Sequence, residues 1–254
     1  RCIEALETER LRPFQRPPLD RALTLPQLPP AIKLPDTLEL VVKVDTLDQA
    51  VAALSAGADW IMVSGERFHG ERFQSADYEK ILALVRKQHK KATFCLPRII
   101  RDANRSAAEA QLEWFSHIGP DAVCVANLGS MAMLRQYPDL VMHADYPLNL
   151  FNAQSLAFVQ EQGAACATLS PELTLGQVQK LAQQSILPLE CLVHGRLTLM
   201  VSEFCATGAY LSDAEKPGCD SACRQGEYRL QDRKDEAFPL VTDDACRMHI
   251  LNGK

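Results

Sequence analysis

The sequence predicts an α/β fold: a TIM-like (β/α) barrel, complete or one strand short, with a cysteine-rich C-terminal segment. Three observations predict it. Seven short runs rich in apolar and β-branched residues recur between Leu38 and His194. Helical patterns fit between consecutive runs, and Gly57, Gly119 and Gly163 stand where those helices would end, the usual place of glycine past a helix C-terminus. Strands alternating with helices mean βαβ units and a parallel sheet. Seven in succession suit a barrel better than a doubly wound sheet, and no G-x-G-x-x-G follows any strand to support a dinucleotide fold.

Taken in order, residues 1–36 read as a short charged helix, Arg1 to about Leu11, followed by a connector. Pro13, Pro17, Pro18, Pro26, Pro29, Pro30 and Pro35 deny the connector regular structure, because proline lacks an N–H and fixes φ. It is either a semi-rigid linker from an upstream domain or a strap lying on the barrel. Residues 37–195 form the barrel. Its strands are expected at Leu38–Val44, Trp60–Ser64, Ala92–Leu96, Ala122–Ala126, Leu140–Ala144, Ala165–Leu169 and Leu187–His194. The helices are expected near Leu47–Ser55, Ala76–His89, Ala107–His117, Ser130–Gln136, Ala153–Gln162 and Leu175–Gln183. Residues 196–254 are the cysteine-rich segment.

At 254 residues and 47% hydrophobic content the chain can bury one sizeable core and an appendage. A net charge of −5 gives no global field toward nucleic acid or anionic membranes. There is no run of 18 apolar residues and no signal-peptide pattern, so a soluble, cytoplasmic protein without a membrane partner is expected. The chain begins with Arg1 and stops at Lys254, which reads as a piece of something longer. Of nine cysteines, Cys95, Cys124, Cys166 and Cys191 lie in apolar strand-like runs, where a free thiol behaves as a small hydrophobe. The odd number and this usage fit a reducing compartment.

Function on a barrel sits at the C-terminal ends of its strands. The polar residues there are Ser64, Glu66, Arg98, Asn127, His143, Asp145, Ser170, Glu172, Glu190 and His194; some of them would merely cap the following helices. On one strand Glu190 and His194 would share a face about 13 Å apart, at roughly 3.3 Å per residue, too far for a dyad. Glu190, deeper in, needs a basic partner or a proton, and a satisfied core carboxyl is the plain alternative.

The sharper motif is Cys205, Cys219, Cys223 and Cys246, spaced C-x13-C-x3-C-x22-C. Four thiolates brought together by loops suit a zinc ion or an iron–sulfur cluster. Zinc sites favour two C-x2-4-C knuckles, and only Cys219 and Cys223 form one; the wide gaps suggest an irregular loop around a larger body. Spacing alone leaves both inorganic centres open. Arg224, Arg229, Arg233 and Lys234 follow and would hold a phosphate-bearing substrate or lie solvated. No H-E-x-x-H, G-x-S-x-G or P-loop pattern occurs.

At Leu187-Pro-Leu-Glu-Cys-Leu-Val-His-Gly195 the chain resembles the collagenase-like proteins of peptidase family U32, which carry E-x-x-x-H-G, then a cysteine, a small-residue loop and C-x3-C-R. Here these are Glu190, His194-Gly195, Cys205 and Gly218-Cys219-Asp-Ser-Ala-Cys223-Arg224. Asn149-Leu-Phe-Asn152, Leu169-Ser-Pro-Glu172-Leu-Thr-Leu, Leu230–Arg233 and Cys246–Asn252 are similar to further elements. The likeness is strong over 140–254 and weak over 38–140. It is closest to the C-terminal barrel of long members, which implies upstream domains of the same polypeptide, a first barrel among them.

The resemblance implies two functions. The family name implies proteolysis of a protein substrate; other relatives hydroxylate RNA (tRNA or rRNA) or quinone rings, with four cysteines holding a four-iron four-sulfur cluster. By position the ligands would be Cys205, Cys219, Cys223 and Cys246. Several relatives have a further cysteine where this chain has Thr198, so both members of the C-x3-C pair are needed here. His194, Glu190, Glu172 and Asp145 are the expected catalytic residues, and Asn152, Arg98 and Arg224 the substrate contacts. RNA hydroxylation is the preferred expectation; the others are a metal-assisted peptidase and a non-catalytic half whose cysteines hold structural zinc.

Overall fold

The computed structural model describes residues 2–16, 27–66, 68, 74–212 and 219–253. Pro17, Pro18 and Pro26 of the connector and Gly218 of the cysteine motif lie outside the described residues.

The expected helix is Cys2–Leu11 (α1), and it buries none of its residues. The second half of the proline-rich stretch lies on the barrel as a strap: Ile32 N–H donates to the Ser185 carbonyl at 2.8 Å, and Leu28 packs against the core. Then come β1 (Val41–Val44), α2 (Leu47–Ser55), β2 (Trp60–Val63), α3 (Ser75–Lys87), β3 (Lys91–Cys95), α4 (Asp102–Ile118) and β4 (Ala122–Val125). They continue as α5 (Leu128–Leu134), β5 (Met142–Ala144), α6 (Ala153–Glu161), β6 (Ala164–Thr168), α7 (Leu175–Gln183) and β7 (Leu189–Glu190). The seven strands form one sheet in the order β1-β2-β3-β4-β5-β6-β7, every neighbouring pair parallel. β1 and β7 do not pair, so the architecture is an incomplete TIM-like barrel.

Period-two alternation separates the two faces of the sheet. Val44, Ile61, Val63, Phe94, Val123, Val125, Ala144 and Ala167 form one buried core with Leu54, Ile81, Val85, Leu112, Phe115 and Leu156 of the helices. Tyr78, Phe94, Trp114 and Phe115 meet there in edge-on and tilted pairs 4.8–5.7 Å apart, each worth about 0.5–1.5 kcal/mol beyond its buried area. Residues of the opposite parity line the concave face. Met62, Cys95 and Cys124 with Val41 are its small apolar cluster; the rest of that parity includes Lys43, Thr93, His143, Cys166 and Glu190.

Several helices start at polar caps. Thr46, Asn127, Asn152 and Thr174 each accept a backbone N–H from three residues on. Gly119 closes α4 in the left-handed conformation, φ 64°, which costs glycine nothing. At Gly65, after β2, a Cβ would fall 2.3 Å from the Leu96 carbonyl oxygen. Only glycine lets this loop cross so close to the end of β3.

Two expectations are corrected here. The last barrel strand ends at Glu190, not His194; Cys191 and His194 lie exposed in irregular chain beyond it. The thirteen-ångström separation argued for one continuous strand therefore does not apply. Nor is the cysteine-rich segment an irregular loop. β8 (Thr198–Ser202), α8 (Ala206–Leu211), β9 (Tyr228–Gln231), β10 (Ala237–Thr242) and β11 (Met248–Leu251) include a four-stranded sheet ordered β8-β11-β10-β9, with antiparallel neighbours.

Candidate functional site at the barrel mouth

The small sheet sits on the C-terminal side of the barrel, over the loops that follow β2 and β3. Asp243, at the end of β10, accepts from the Arg247 Nε at 2.8 Å and from the His249 ring at 3.1 Å. It also accepts the backbone N–H groups of Ala245 and Arg247 at 3.0 and 2.8 Å. Arg247 then reaches the Ile99 carbonyl at 3.0 Å, His249 meets the Phe68 ring edge-on at 4.8 Å, and Arg101 pairs with Glu203 at 2.7 Å. Burial works to raise the Asp243 carboxyl, but His249 and Arg247 hold it below the usual range. Together these contacts staple the sheet to the rim.

All nine cysteines are free. Cys205 is the N-cap of α8, its Sγ accepting the Gly208 N–H at 3.2 Å; the Cys219 Sγ accepts the Ser221 N–H at 3.3 Å. Cys223 lies in a short 3-10 turn, Ala222–Arg224, that packs on α8. Cys246, at φ 61°, occupies the β10–β11 turn and lines a cleft of about 290 Å³ with Ile99, Arg101, Asn104 and Glu203. Cys205 follows β8, Cys246 precedes β11, and Cys219 and Cys223 precede β9. Met248 pairs with Ser202 and Thr242, and Tyr228 with Leu240, so these strand ends share one side of the sheet. The four thiols thus belong to one end of the sheet. They do not form a zinc-sized group: tetrahedral zinc sets its sulfurs about 3.8 Å apart, given bonds near 2.3 Å, and no three of them lie within 4.8 Å of one another. A four-iron cube binds each thiolate to a different iron and spaces them more widely.

The rim facing this sheet carries charge. Lys43, on β1, points across the concave face to Asp145, 3.8 Å away. Desolvation works to lower the Lys43 pKa, but Asp145, then Cys95, Cys124 and Glu66, raise it, so the ammonium persists. Its side chain is still 43% exposed through the open mouth, and the pair is screened accordingly. Cys95 and Cys124 are cross-strand partners beneath it. Contact with Cys95 and then burial raise the Cys124 thiol. Arg98 stands 5.9 Å from the Tyr146 ring centre, its N–H donates to Glu66 at 2.7 Å, and its carbonyl accepts from Asn127 at 3.0 Å.

The expected site residues fall into three places. Asp145 and Arg98 are at this rim, although Asp145 also accepts the Tyr146 N–H at 2.8 Å. Glu172, His194, Asn152 and Arg224 are exposed, and Asn152 is engaged as the α6 cap. His143 and Glu190 are not rim groups: they lie inside the barrel with Cys166, all three ligand atoms within 4.8 Å of one another. Among the described residues Glu190 takes no basic partner there. The Thr168 hydroxyl donates to it at 2.7 Å, and burial raises its pKa. Lys43 and Tyr146 were missed by sequence reasoning. A lysine of inward parity amid Val41-Val-Lys-Val44 was the available signal.

Residues 45–254 match the model of the family described as Peptidase family U32. The chain is 25% identical to the "tRNA hydroxylation protein P" of Escherichia coli over 206 residues, covering 78% of this chain and 45% of that protein. It is 24% identical to the "Uncharacterized protease MJ0090" of Methanocaldococcus jannaschii over 217 residues, 81% of this chain and 53% of that one. The chain thus spans about half the length of these curated relatives. The solved structure of the U32 peptidase Mk0906 aligns over 64% of this chain and 71% of that one, with a TM-score of 0.52 and 14% sequence identity, a likeness of fold. Because the matched span takes in β2 to β7 and the whole of the small sheet with its four cysteines, the chain belongs to peptidase family U32.

Proposed function

We propose that this U32 domain hydroxylates a base of RNA, with tRNA as the first candidate, using a four-iron four-sulfur cluster held by Cys205, Cys219, Cys223 and Cys246. The observation that carries the reading is the stapling of one end of the small sheet, where those free thiols lie, onto the rim that bears Lys43, Asp145, Arg98 and Tyr146. Similarity to a protein named for tRNA hydroxylation supports it. The donor set fits: four unbridged sulfurs, two of them accepting backbone N–H groups, the kind of hydrogen bond that tunes cluster thiolates. When bound, such a cluster supplies one-electron chemistry beside the substrate.

The protein's own groups do the positioning. Tyr146 and the Arg98 guanidinium offer a flat, cationic platform for a planar base. Lys43, kept protonated, balances an anionic substrate group at the mouth. Asn104, in the cleft beside Cys246, is placed for a backbone phosphate, whereas Arg101 there is already paired with Glu203 at 2.7 Å. Arg224, exposed next to Cys223, is available as well, while Arg229 contributes less, since it is already beside Glu227 at 3.7 Å. Among the described residues no helix is long and apolar enough to cross a membrane.

Anaerobic purification with iron and sulfide analysis, followed by nucleoside mass spectrometry of tRNA treated with the protein, tests this. Bound iron and sulfide, and a hydroxylated base lost on Cys223→Ser, are expected. A colourless, iron-free protein that remains fully active would end the proposal. Cleavage of casein by pure protein, lost on His194→Ala, would replace it with the peptidase reading.

A further inference from the structure

The inward face of β5, β6 and β7 carries a cluster that the proposed hydroxylation does not use. His143 and Cys166 are direct cross-strand partners. Glu190, on the next strand, pairs with Thr168, two residues above Cys166 on the same face, and its longer side chain turns back toward the sulfur. The result is the one group of three or more His, Cys, Asp or Glu, among the described residues, whose ligand atoms all lie within 4.8 Å of each other. A second observation is independent of that proximity. His143 is only 7% exposed, and its buried Nδ1 has no hydrogen-bond partner. A buried imidazole nitrogen without a partner leaves its desolvation uncompensated, and a cation beside it would restore a bond.

We propose that these three side chains form a binding site for one divalent transition-metal ion of the zinc class, inside the barrel and separate from the tail cysteines. The donor set chooses the ion. One imidazole, one thiolate and one carboxylate suit zinc or cobalt; magnesium and calcium prefer oxygen alone. Tetrahedral zinc places such ligand atoms about 3.3–3.8 Å apart, so the cluster closes with side-chain adjustments of roughly 1 Å. Three protein ligands leave the fourth position for water or a substrate oxygen, the pattern of a catalytic rather than a structural site.

The surroundings are built to match. The Thr168 hydroxyl, donating to the Glu190 Oε2 at 2.7 Å, orients the carboxylate as an outer hydrogen bond orients a metal ligand. Burial and then Lys91 push His143 down to about 4, so the ring is neutral, the form that ligates. Lys91 does not oppose an ion with its full charge, since it pairs with Glu39 at 3.7 Å and lies over the Trp60 ring. Burial, and then Glu190, push the Cys166 thiol up to about 12, so an ion must displace its proton. Access is open on one side. Glu190 is half-buried on the edge strand β7, and β7 and β1 do not pair.

Cobalt(II) titration of the full chain under anaerobic conditions tests the site. Trp60 stands 5.4 Å from the His143 ring, so bound cobalt should quench its fluorescence, and one thiolate should add a sulfur-to-cobalt charge-transfer band. Comparison with Cys166→Ser, which retains all four tail cysteines, isolates that band from any cobalt bound by the tail. His143→Gln and the near-isosteric Glu190→Gln should each weaken the quenching transition by at least about a hundredfold, the upper range for losing even an outer-shell partner. Circular dichroism establishes that each variant is folded, and at least one of the latter two supplies the comparison if Cys166→Ser is not. Identical cobalt spectra and quenching in the parent chain and the folded variants would overturn the site. None of these readouts depends on iron, RNA or hydroxylation.

Discussion

Asp243→Asn should detach the small sheet from the barrel without unfolding the barrel. Asp243 has no exposed side-chain surface, and Arg247 only 8%. Asparagine keeps one acceptor oxygen but turns an N–H group toward the Arg247 Nε or the His249 ring, and it leaves the guanidinium without its counter-charge. Breaking one partner of a buried pair costs about 3–5 kcal/mol. Taking about 3 kcal/mol, because Arg247 keeps its hydrogen bond to the Ile99 carbonyl, opening of the sheet becomes roughly a hundredfold more frequent at 1.36 kcal/mol per decade. Native-state hydrogen exchange measures it: the β10–β11 amides should lose about that much protection, while the β2–β4 amides keep theirs. The pH dependence has a definite sign. The folded Asp243 pKa is depressed, so its stabilisation is present above the unfolded value of about 3.9 and is lost as pH falls through the folded value. The variant should therefore flatten the acid limb of sheet stability below about pH 4. A loss under about 1 kcal/mol, or one shared evenly by the barrel strands, would refute the stapling argument.

Other changes separate local from global roles. Gly65→Ala drives a Cβ into the Leu96 carbonyl and should cost at least about 2 kcal/mol by urea unfolding, disturbing Glu66 and Arg98 with it. Asn127→Ala removes the α5 cap and the bond to the Arg98 carbonyl, and should cost about 1–2 kcal/mol. Asp145→Asn should cost no more than about 1 kcal/mol at pH 7, because Lys43 is still partly exposed. That pair stabilises fully below the unfolded lysine value of about 10.4 and fades as pH rises through the raised folded value, so the variant and parent should converge in strong alkali. Cys205→Ser should leave the far-ultraviolet circular dichroism unchanged while abolishing iron retention after anaerobic reconstitution.

The barrel was largely legible from local pattern. α2 and α7 fall at the expected residues, because apolar period and polar caps act over a few neighbours. The concave face was not. Cys95, Cys124 and Cys166 read as hydrophobes in apolar runs, and they are buried as expected; yet the same parity sets them among Lys43, His143 and Glu190. The small sheet escaped because β9, Tyr228–Gln231, is only four residues long and β10, Ala237–Thr242, carries Pro239, which argues against an interior strand; neither holds a buried residue. The motifs after Glu190 marked that region by family likeness and left its strands unseen.

By itself the sequence determined the alternation of strand and helix and the presence of four thiols in the tail. These follow from side-chain period and composition along a single stretch of chain. Only tertiary structure decided which residues become neighbours: Lys43 beside Asp145, His143 beside Cys166 and Glu190, and Arg247 against Ile99. Such pairs join stretches as far apart as 148 residues, and their meeting is set by sheet register and by how the small sheet docks on the rim, neither of which is written in any local pattern.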